Sequence, residues 1–413
     1  MLEMIISSFF IVGSSWSLLS NFLMCYSIVL ILFMYDSTNY IIKLIMIILS
    51  FWLIMLMLLS VTKNDQSLEL KLLILILLMI LEMVFYFNSM ILFYMCFEMS
   101  VIPMFLIVFG WGYQPDRMEA GVYMLCYTVI FSLPLLVGIF YFDYINMKNK
   151  FLIFLLFSMA FLVKFPMVGF HLWLPRAHVE APVFGSMILA GIMLKLGGYG
   201  LVKISSLLTD IFLVYNWFIV VFSVMGGVIL SLLCFVQVDM KLLIAYSSIV
   251  HMSAVLSNIL ILKESGLMGS IYMMVGHGFC SSGLFYIMGV SYSRTMSRSF
   301  FINKGFLTLV PVSSFWWFLF CCCNLSFPPS LNLPGEILLF SSLLSWEFSL
   351  IVLICILSFF SSLYSIYLFS FSLHGSMINY YSFSSFNIKE SLICFLHWIP
   401  LNLIIFDLSL FWC

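Results

Sequence analysis

The chain has 413 residues, of which 64% are hydrophobic and only 8% charged. A soluble domain carries about 25% charged residues, so a water-soluble globule is excluded and a polytopic, all-α membrane protein is indicated. The apolar runs last about 20 residues, too long for the short alternating strands of a barrel. With a formal net charge of -1 and no basic patch, nucleic acid is not expected as a partner.

The spans are counted by length and by breakers, because periodicity cannot locate a face on a helix that is apolar all round. The first run, residues 4–35, is long enough for one tilted helix and marginal for two. No cleavable signal peptide or Arg-rich transit segment is expected before it. Spans follow at 40–60 and 68–88, joined by the polar stretch from Lys63 to Ser67. The span at 90–110 carries Glu98 and Pro103, and the charged loop Gln114–Glu119 leads to a span at 120–143.

Next comes an interrupted element. A span at 150–170 holds Lys164, Pro166 and Gly169, and residues 171–182 form an amphipathic outlet bounded by Pro182. Proline donates no backbone hydrogen bond, so Pro166 is expected to leave the carbonyl of Leu162 unpaired. Spans at 183–205, 211–237, 241–262 and 265–292 come after it. A second interrupted element, 305–347, is broken at Phe327-Pro-Pro-Ser-Leu-Asn-Leu-Pro-Gly335 beside Glu336. The last spans, 348–373 and 391–411, flank a Ser/Asn/Tyr-rich loop. The total is about thirteen transmembrane helices.

Two Pro/Gly-interrupted segments in the two halves of a membrane protein point to inverted repeats around a midplane ion site. The expected organisation is N-terminal helices over 1–89, a first half over 90–210, a second half over 211–373, and a loop with a final helix over 374–413. With thirteen spans, Lys63, Lys71, Arg117, Arg176, Lys241, Arg294, Arg298, Lys304 and Lys389 fall on one side. Lys43, Lys148, Lys150, Lys203 and Lys263 fall on the other. The positive-inside rule puts the first side in the compartment of synthesis.

Setting aside loop and span-end charges leaves Glu82, Glu98, Lys164, Lys195 and Glu336 inside lipid, with His171, His178, His251 and His277. A lysine at the centre of a membrane helix costs about 2.5–3.5 kcal/mol on insertion scales, so it faces protein or water. Glu98 has no cation at helical spacing, which makes Lys164 its expected partner from another helix. A static buried pair is the plain alternative. Lys195 is followed by Gly197, Gly198 and Gly200, which admit a neighbouring backbone closely. Its alternative is snorkelling to the interface.

Glu336 would also suit the positive end of a half-helix. His251 and His277, flanked in sequence by Lys195 and Glu336, suit a proton relay or simply hydrogen-bonded core positions. His171 and His178 would line water or cap backbone. Glu82 is expected near a span end or against a partner subunit. None of the eleven cysteines forms a CxxC pair, and Cys321, Cys322 and Cys323 point about 100° apart on a helix, so they read as small apolar fillers. No dinucleotide fingerprint, P-loop, zinc-ligand spacing or iron–sulfur set is present.

A row of such groups can be driven electrostatically. Two unit charges about 7 Å apart at an effective dielectric near 20 interact by roughly 2.4 kcal/mol. Moving a proton against about 100 mV takes about 2.3 kcal/mol. One neighbour changing charge can therefore bias proton occupancy by the work required.

Several stretches carry a resemblance to a known family. They are Lys164-Phe-Pro, His171-Leu-Trp-Leu-Pro-Arg-Ala-His-Val-Glu-Ala-Pro182, Gly185-Ser-Met-Ile-Leu-Ala-Gly191 and Leu194-Lys-Leu-Gly-Gly-Tyr-Gly200. With Glu98, Gln114-Pro-Asp-Arg117, the run from Asp239 to His251, Gly276-His-Gly278 and Asn332-Leu-Pro-Gly-Glu336, they closely resemble the antiporter-like chain 4 family of mitochondrial NADH–ubiquinone oxidoreductase. The likeness covers residues 90–400. It implies a proton-pumping subunit of respiratory complex I in the mitochondrial inner membrane. Glu98 and Lys164 would be the paired residues, Lys195 the central lysine, and Glu336 the distal exit residue, with His251 and His277 between them.

The resemblance further implies no cofactor in this chain. NADH, FMN, iron–sulfur clusters and ubiquinone would sit in partner subunits. Partners would be the other membrane subunits, neighbouring antiporter-like ones among them, together with lipids. Family members usually show fourteen helices, one more at the start than expected here. It gives Glu82 no role. A stand-alone cation/proton antiporter, or a scaffold with static pairs, would present the same ionisable residues.

Overall fold

The computed structural model describes residues 13–34, 41–141, 150–375 and 384–408. The expectations for the first twelve residues, and for the middle of the loop after residue 373, lie outside them. Among the described residues there is no strand beyond one antiparallel bridge between Asp239 and Ser299. Composition dictates this, since in hydrocarbon each backbone N–H and C=O needs a partner and only a helix supplies nearly all of them locally.

The helices are α1 (Trp16–Met34), α2 (Ile41–Ser60), α3 (Leu68–Tyr86), α4 (Met90–Met99), α5 (Val101–Trp111), α6 (Arg117–Phe140), α7 (Lys150–Lys164), α8 (Trp173–Glu180) and α9 (Val183–Ile188). A π-helical turn at Leu189–Met193 leads to α10 (Leu194–Ser205). Then come α11 (Thr209–Cys234), α12 (Met240–Ile261), α13 (Glu264–Thr295), α14 (Phe306–Leu309), α15 (Pro311–Asn324), α16 (Asn332–Trp346), α17 (Ile351–Leu373) and α18 (Ile388–Leu403).

Nine stretches among the described residues are long and apolar enough to cross a membrane: α2, α4 with α5, α6, α9 through α10, α11, α12, α13, α17 and α18. The four other expected crossings are helical too, but shorter, more charged or broken. They are α1, α3 (which carries Glu69, Lys71 and Glu82), α7 with α8, and α15 with α16. Helix length and hydropathy thus account for nine of the thirteen expected crossings.

Burial sorts the helices into a centre and a shell. The membrane-length window of α13 is 100% buried, and that of α12 94%, whereas α6 and α18 reach only 28%. His251 and His277 lie on the central pair.

The first break is better satisfied than expected. The carbonyl of Leu162 is not orphaned by Pro166, because the Met167 N–H reaches back to it at 3.1 Å, five residues instead of four. The Trp173 indole N–H donates to the Val163 carbonyl at 3.0 Å. Gly169 turns the chain at φ +97°, a conformation glycine adopts without a Cβ penalty.

The second break is also narrower. It spans Leu325–Leu331, and α16 starts at Asn332, so Pro334 and Gly335 lie within its first turn. Glu336 is the fifth residue of that helix, past the first turn, and the expected helix-end charge does not apply. Asn332 Nδ2 donates to the Cys323 carbonyl at 2.8 Å, tying the two half-helices across the gap.

Candidate functional site

Glu98 sits one residue from the end of α4, where Ser100 separates it from α5. The ammonium of Lys164, last residue of α7, lies 3.2 Å from Glu98 Oε1. Its hydrogen bond goes to the Phe97 carbonyl at 2.7 Å, and it stands 3.1 Å from the centre of the Phe97 ring. A cation placed over an aromatic face gains attraction that grows when water is absent. Lys164 is therefore held by a carboxylate, a carbonyl and a ring.

Lys195 is fully buried at the start of α10. Snorkelling is excluded by that position. In the π-turn before it the Leu194 N–H reaches the Leu189 carbonyl, which leaves the Ala190 carbonyl available to the Lys195 ammonium. Such single π-turns recur at functional sites because they free a backbone group. The same ammonium lies 3.1 Å from His277 Nδ1.

From there the row continues from ring to ring. The His277 and His251 ring centroids are 5.6 Å apart, and His251 Nδ1 is 3.4 Å from Glu336 Oε1. Four helices, α10, α13, α12 and α16, each contribute one group. The two parts of the site are packed together at glycine. A Cβ on Gly197 would meet the Phe165 amide nitrogen at 2.8 Å and the carbonyl carbon of Lys164 at 3.2 Å, so α10 lies directly on the end of α7. Backbone cannot swing aside as a flexible side chain does. Gly197→Ala should destabilise the subunit by roughly 1–3 kcal/mol, the range for overpacking, read as a lower melting temperature of the purified assembly.

The structure does not bring every expected group into the row. His178 is buried and stacked on Phe285 at 4.7 Å with both ring nitrogens unpartnered. His171 is partly exposed and its Nδ1 makes no hydrogen bond. Glu82 lies near the end of α3, as the first of its two readings has it. The second, a face toward a partner, does not fit, since it is 3% exposed and accepts a hydrogen bond from Ser50 Oγ at 2.8 Å.

Two residues escaped the sequence reading. Tyr364 of α17, fully buried, lies with its hydroxyl 2.9 Å from His251 Nε2 and so occupies the second ring nitrogen. Nothing in its Ser-rich surroundings distinguishes it. Lys241, read as a span-end cation, is buried instead, donating to the carbonyls of Val179 at 3.2 Å and Ala181 at 2.6 Å. A signal did exist. Lysine in the first turn of a helix opposes the dipole, so something else had to hold it.

Among the described residues, no group of three His, Cys, Asp or Glu side chains could hold a metal ion. Fold and site together define a polytopic helical membrane protein that carries ionisable groups in a buried row through its centre. Residues 88–361 match the family described as NADH:quinone oxidoreductase/Mrp antiporter, transmembrane. The chain is 47% identical to the NADH-ubiquinone oxidoreductase chain 4 of Ceratitis capitata, over 96% of this chain and 92% of the relative. With the chain of the same name from Aedes aegypti the identity is 49%, over 76% of this chain and 73% of that one.

Among solved structures, it superposes on a chain of respiratory complex I from Thermus thermophilus with bound NADH. The TM-score is 0.82 at 20% identity, covering 88% of this chain and 80% of that one. A chain of the Mrp complex from Dietzia sp. gives 0.76 at 18% identity, covering 88% of this chain and 42% of its own length. These two likenesses establish the fold. The chain belongs to the NADH:quinone oxidoreductase/Mrp antiporter family, and the relatives named above within that family are chain 4 subunits.

Proposed function

We propose that this chain is a core membrane subunit of a proton-pumping NADH:ubiquinone oxidoreductase of the mitochondrial inner membrane. It moves protons along its buried Glu/Lys/His row while redox chemistry proceeds in other subunits. What carries this reading is the buried series Lys195, His277, His251, Glu336, with the Glu98–Lys164 pair packed against its head. Such a series lets a proton pass by short steps through a region where no free ion would enter.

The pair supplies control. With Glu98 and Lys164 in contact their charges largely cancel. If the pair opens, Lys164 becomes an uncompensated cation beside α10. A unit charge about 7 Å away shifts a neighbour by roughly 2.4 kcal/mol, close to the ~2.3 kcal/mol needed to move a proton against 100 mV. Lys195 then gives its proton to His277 Nδ1, His277 gives up its Nε2 proton to His251 Nε2 as the Tyr364 hydroxyl yields that nitrogen, and His251 gives its Nδ1 proton to the Glu336 carboxylate. Tyr364 orients His251 by engaging its other nitrogen.

NADH, FMN, iron–sulfur clusters and ubiquinone belong to partner subunits, and neighbouring antiporter-like subunits and lipids surround this chain. Isolation of the native assembly tests the reading. Flavin and iron–sulfur subunits should copurify, and vesicles containing the assembly should acidify when NADH is oxidised. An assembly without them that exchanges sodium or potassium for protons would replace it with a stand-alone antiporter.

A further inference from the structure

Two cations outside the buried row stand side by side at the end of α10. Phe87, Asn88 and Ser89 link α3 to α4. The Lys203 ammonium donates to the Phe87 carbonyl at 2.7 Å and lies 4.4 Å from the centre of the Phe93 ring. The Lys43 ammonium donates to Oδ1 of the next residue, Asn88. Both lysines are partly buried, Lys43 as the third residue of α2 and Lys203 in the last turn of α10. Neighbouring residues therefore hold two like charges, and residues 87–92 and 203–208 contain no acidic side chain. A carbonyl and an amide oxygen bring only partial charge to such cations. Like charges so placed repel, and an anion between them removes that cost.

Beside this link the surface opens into a crevice of about 240 Å³. Ser89 stands at its edge, directly after Asn88. Its walls are apolar: Ile91 of α4, Ile139 of α6, Phe157 of α7, and Ile204 and Leu207 next to Lys203. Ile91 and Leu207 are 46% and 57% exposed, so the crevice is open on its outer side. Apolar walls of this kind are filled by hydrocarbon and not by water. Charge at the mouth and hydrocarbon within fit an amphiphile with an anionic head.

We propose that the crevice seats one anionic phospholipid, its phosphate between Lys43 and Lys203 and one acyl chain against Phe157 and Ile204. Basic pockets between membrane helices hold such head groups by charge. The helices that form the walls include α4, α7 and α10, which carry Glu98, Lys164 and Lys195, so the lipid fastens the three together at one end. The inference requires that the chain lie in a membrane and does not depend on pumping.

The test uses the purified assembly in detergent with phosphatidylglycerol that carries a photoreactive acyl chain, and maps the labelled peptides. Label is expected on the peptides holding Phe157 and Ile204, suppressed by plain phosphatidylglycerol and by neither phosphatidylcholine nor inorganic phosphate at the same concentration. A lysine beside an anionic head contributes a factor of roughly five in affinity, so Lys203→Gln and Lys43→Gln should each raise the half-labelling concentration about fivefold. Lys203→Arg keeps the charge and should label as the wild type does. Leu207→Trp, at an exposed position that leaves both lysines in place, fills the mouth and should abolish labelling without loss of assembly.

Equal labelling in the wild type, Lys203→Gln and Leu207→Trp would overturn the inference. So would full suppression by inorganic phosphate, which marks a site for a free anion, or by phosphatidylcholine, which marks an unselective acyl groove. None of these results would touch the pumping function, which the purified assembly's NADH-driven acidification of vesicles tests separately.

Discussion

Replacing Lys195 with methionine is expected to slow proton translocation by this subunit severely while leaving it assembled. Methionine keeps most of the lysine stem in the fully buried site before Gly197, so packing is largely preserved. What disappears is the ammonium that joins the Ala190 carbonyl to His277 Nδ1. Hydrogen bonds to charged groups contribute about 1.5–3 kcal/mol, and each 1.4 kcal/mol in a barrier is a factor of ten in rate. Proton passage should therefore slow by roughly 10- to 150-fold. The measurement is vesicle acidification per NADH oxidised, beside the amount of assembled complex. Lys195→Ala should behave alike in transport and worse in stability, because it also opens a cavity. An unchanged proton-to-electron ratio in an assembled Lys195→Met complex would reduce the row to scaffolding.

Which residues would matter was legible in the chain, and how they join was not. An ionisable side chain within a membrane helix stands out against a background of 8% charge, and this singled out Glu98, Lys164, Lys195 and Glu336. The need of a lone carboxylate for a cation pointed from Glu98 to Lys164, which the structure places in contact. The order Lys195, His277, His251 crosses the chain order, with α13 supplying the group nearer the lysine. Helices apolar on all sides carry no periodic mark of the face turned inward, so no count along the sequence finds that order.

The breaks were visible as Pro and Gly, but their repair was not. The five-residue reach of Met167 to Leu162, and the Trp173 indole on Val163, depend on how the chain turns at Gly169. Lys241 shows a related failure. A cation near a span end looks solvated in sequence, yet here it fastens the carbonyls of Val179 and Ala181 around the end of α8.

The ion pair at the head of the row has the second large expected effect. Removing one partner of a buried pair typically costs about 3–5 kcal/mol, because the other charge is left uncompensated, whereas removing both is often close to neutral. Glu98→Gln strands the Lys164 ammonium with only the Phe97 carbonyl and ring. That variant should assemble poorly. The double variant Glu98→Gln/Lys164→Met should recover much of the lost assembly, as two mutations in direct contact are not additive.

Transport separates a switch from a static pair in that double variant. If opening and closing of Glu98 and Lys164 sets the charge felt at Lys195, the double variant has lost the control and pumps poorly although it assembles. If the two residues only neutralise each other, removing both removes nothing the row needs, and pumping returns with assembly. The two charges lie 3.2 Å apart, and α10 rests on the end of α7 at Gly197. The close approach of α10 to the end of α7 keeps water out of that contact, so a change in the pair acts on α10 through protein. The double variant is therefore expected to assemble without pumping.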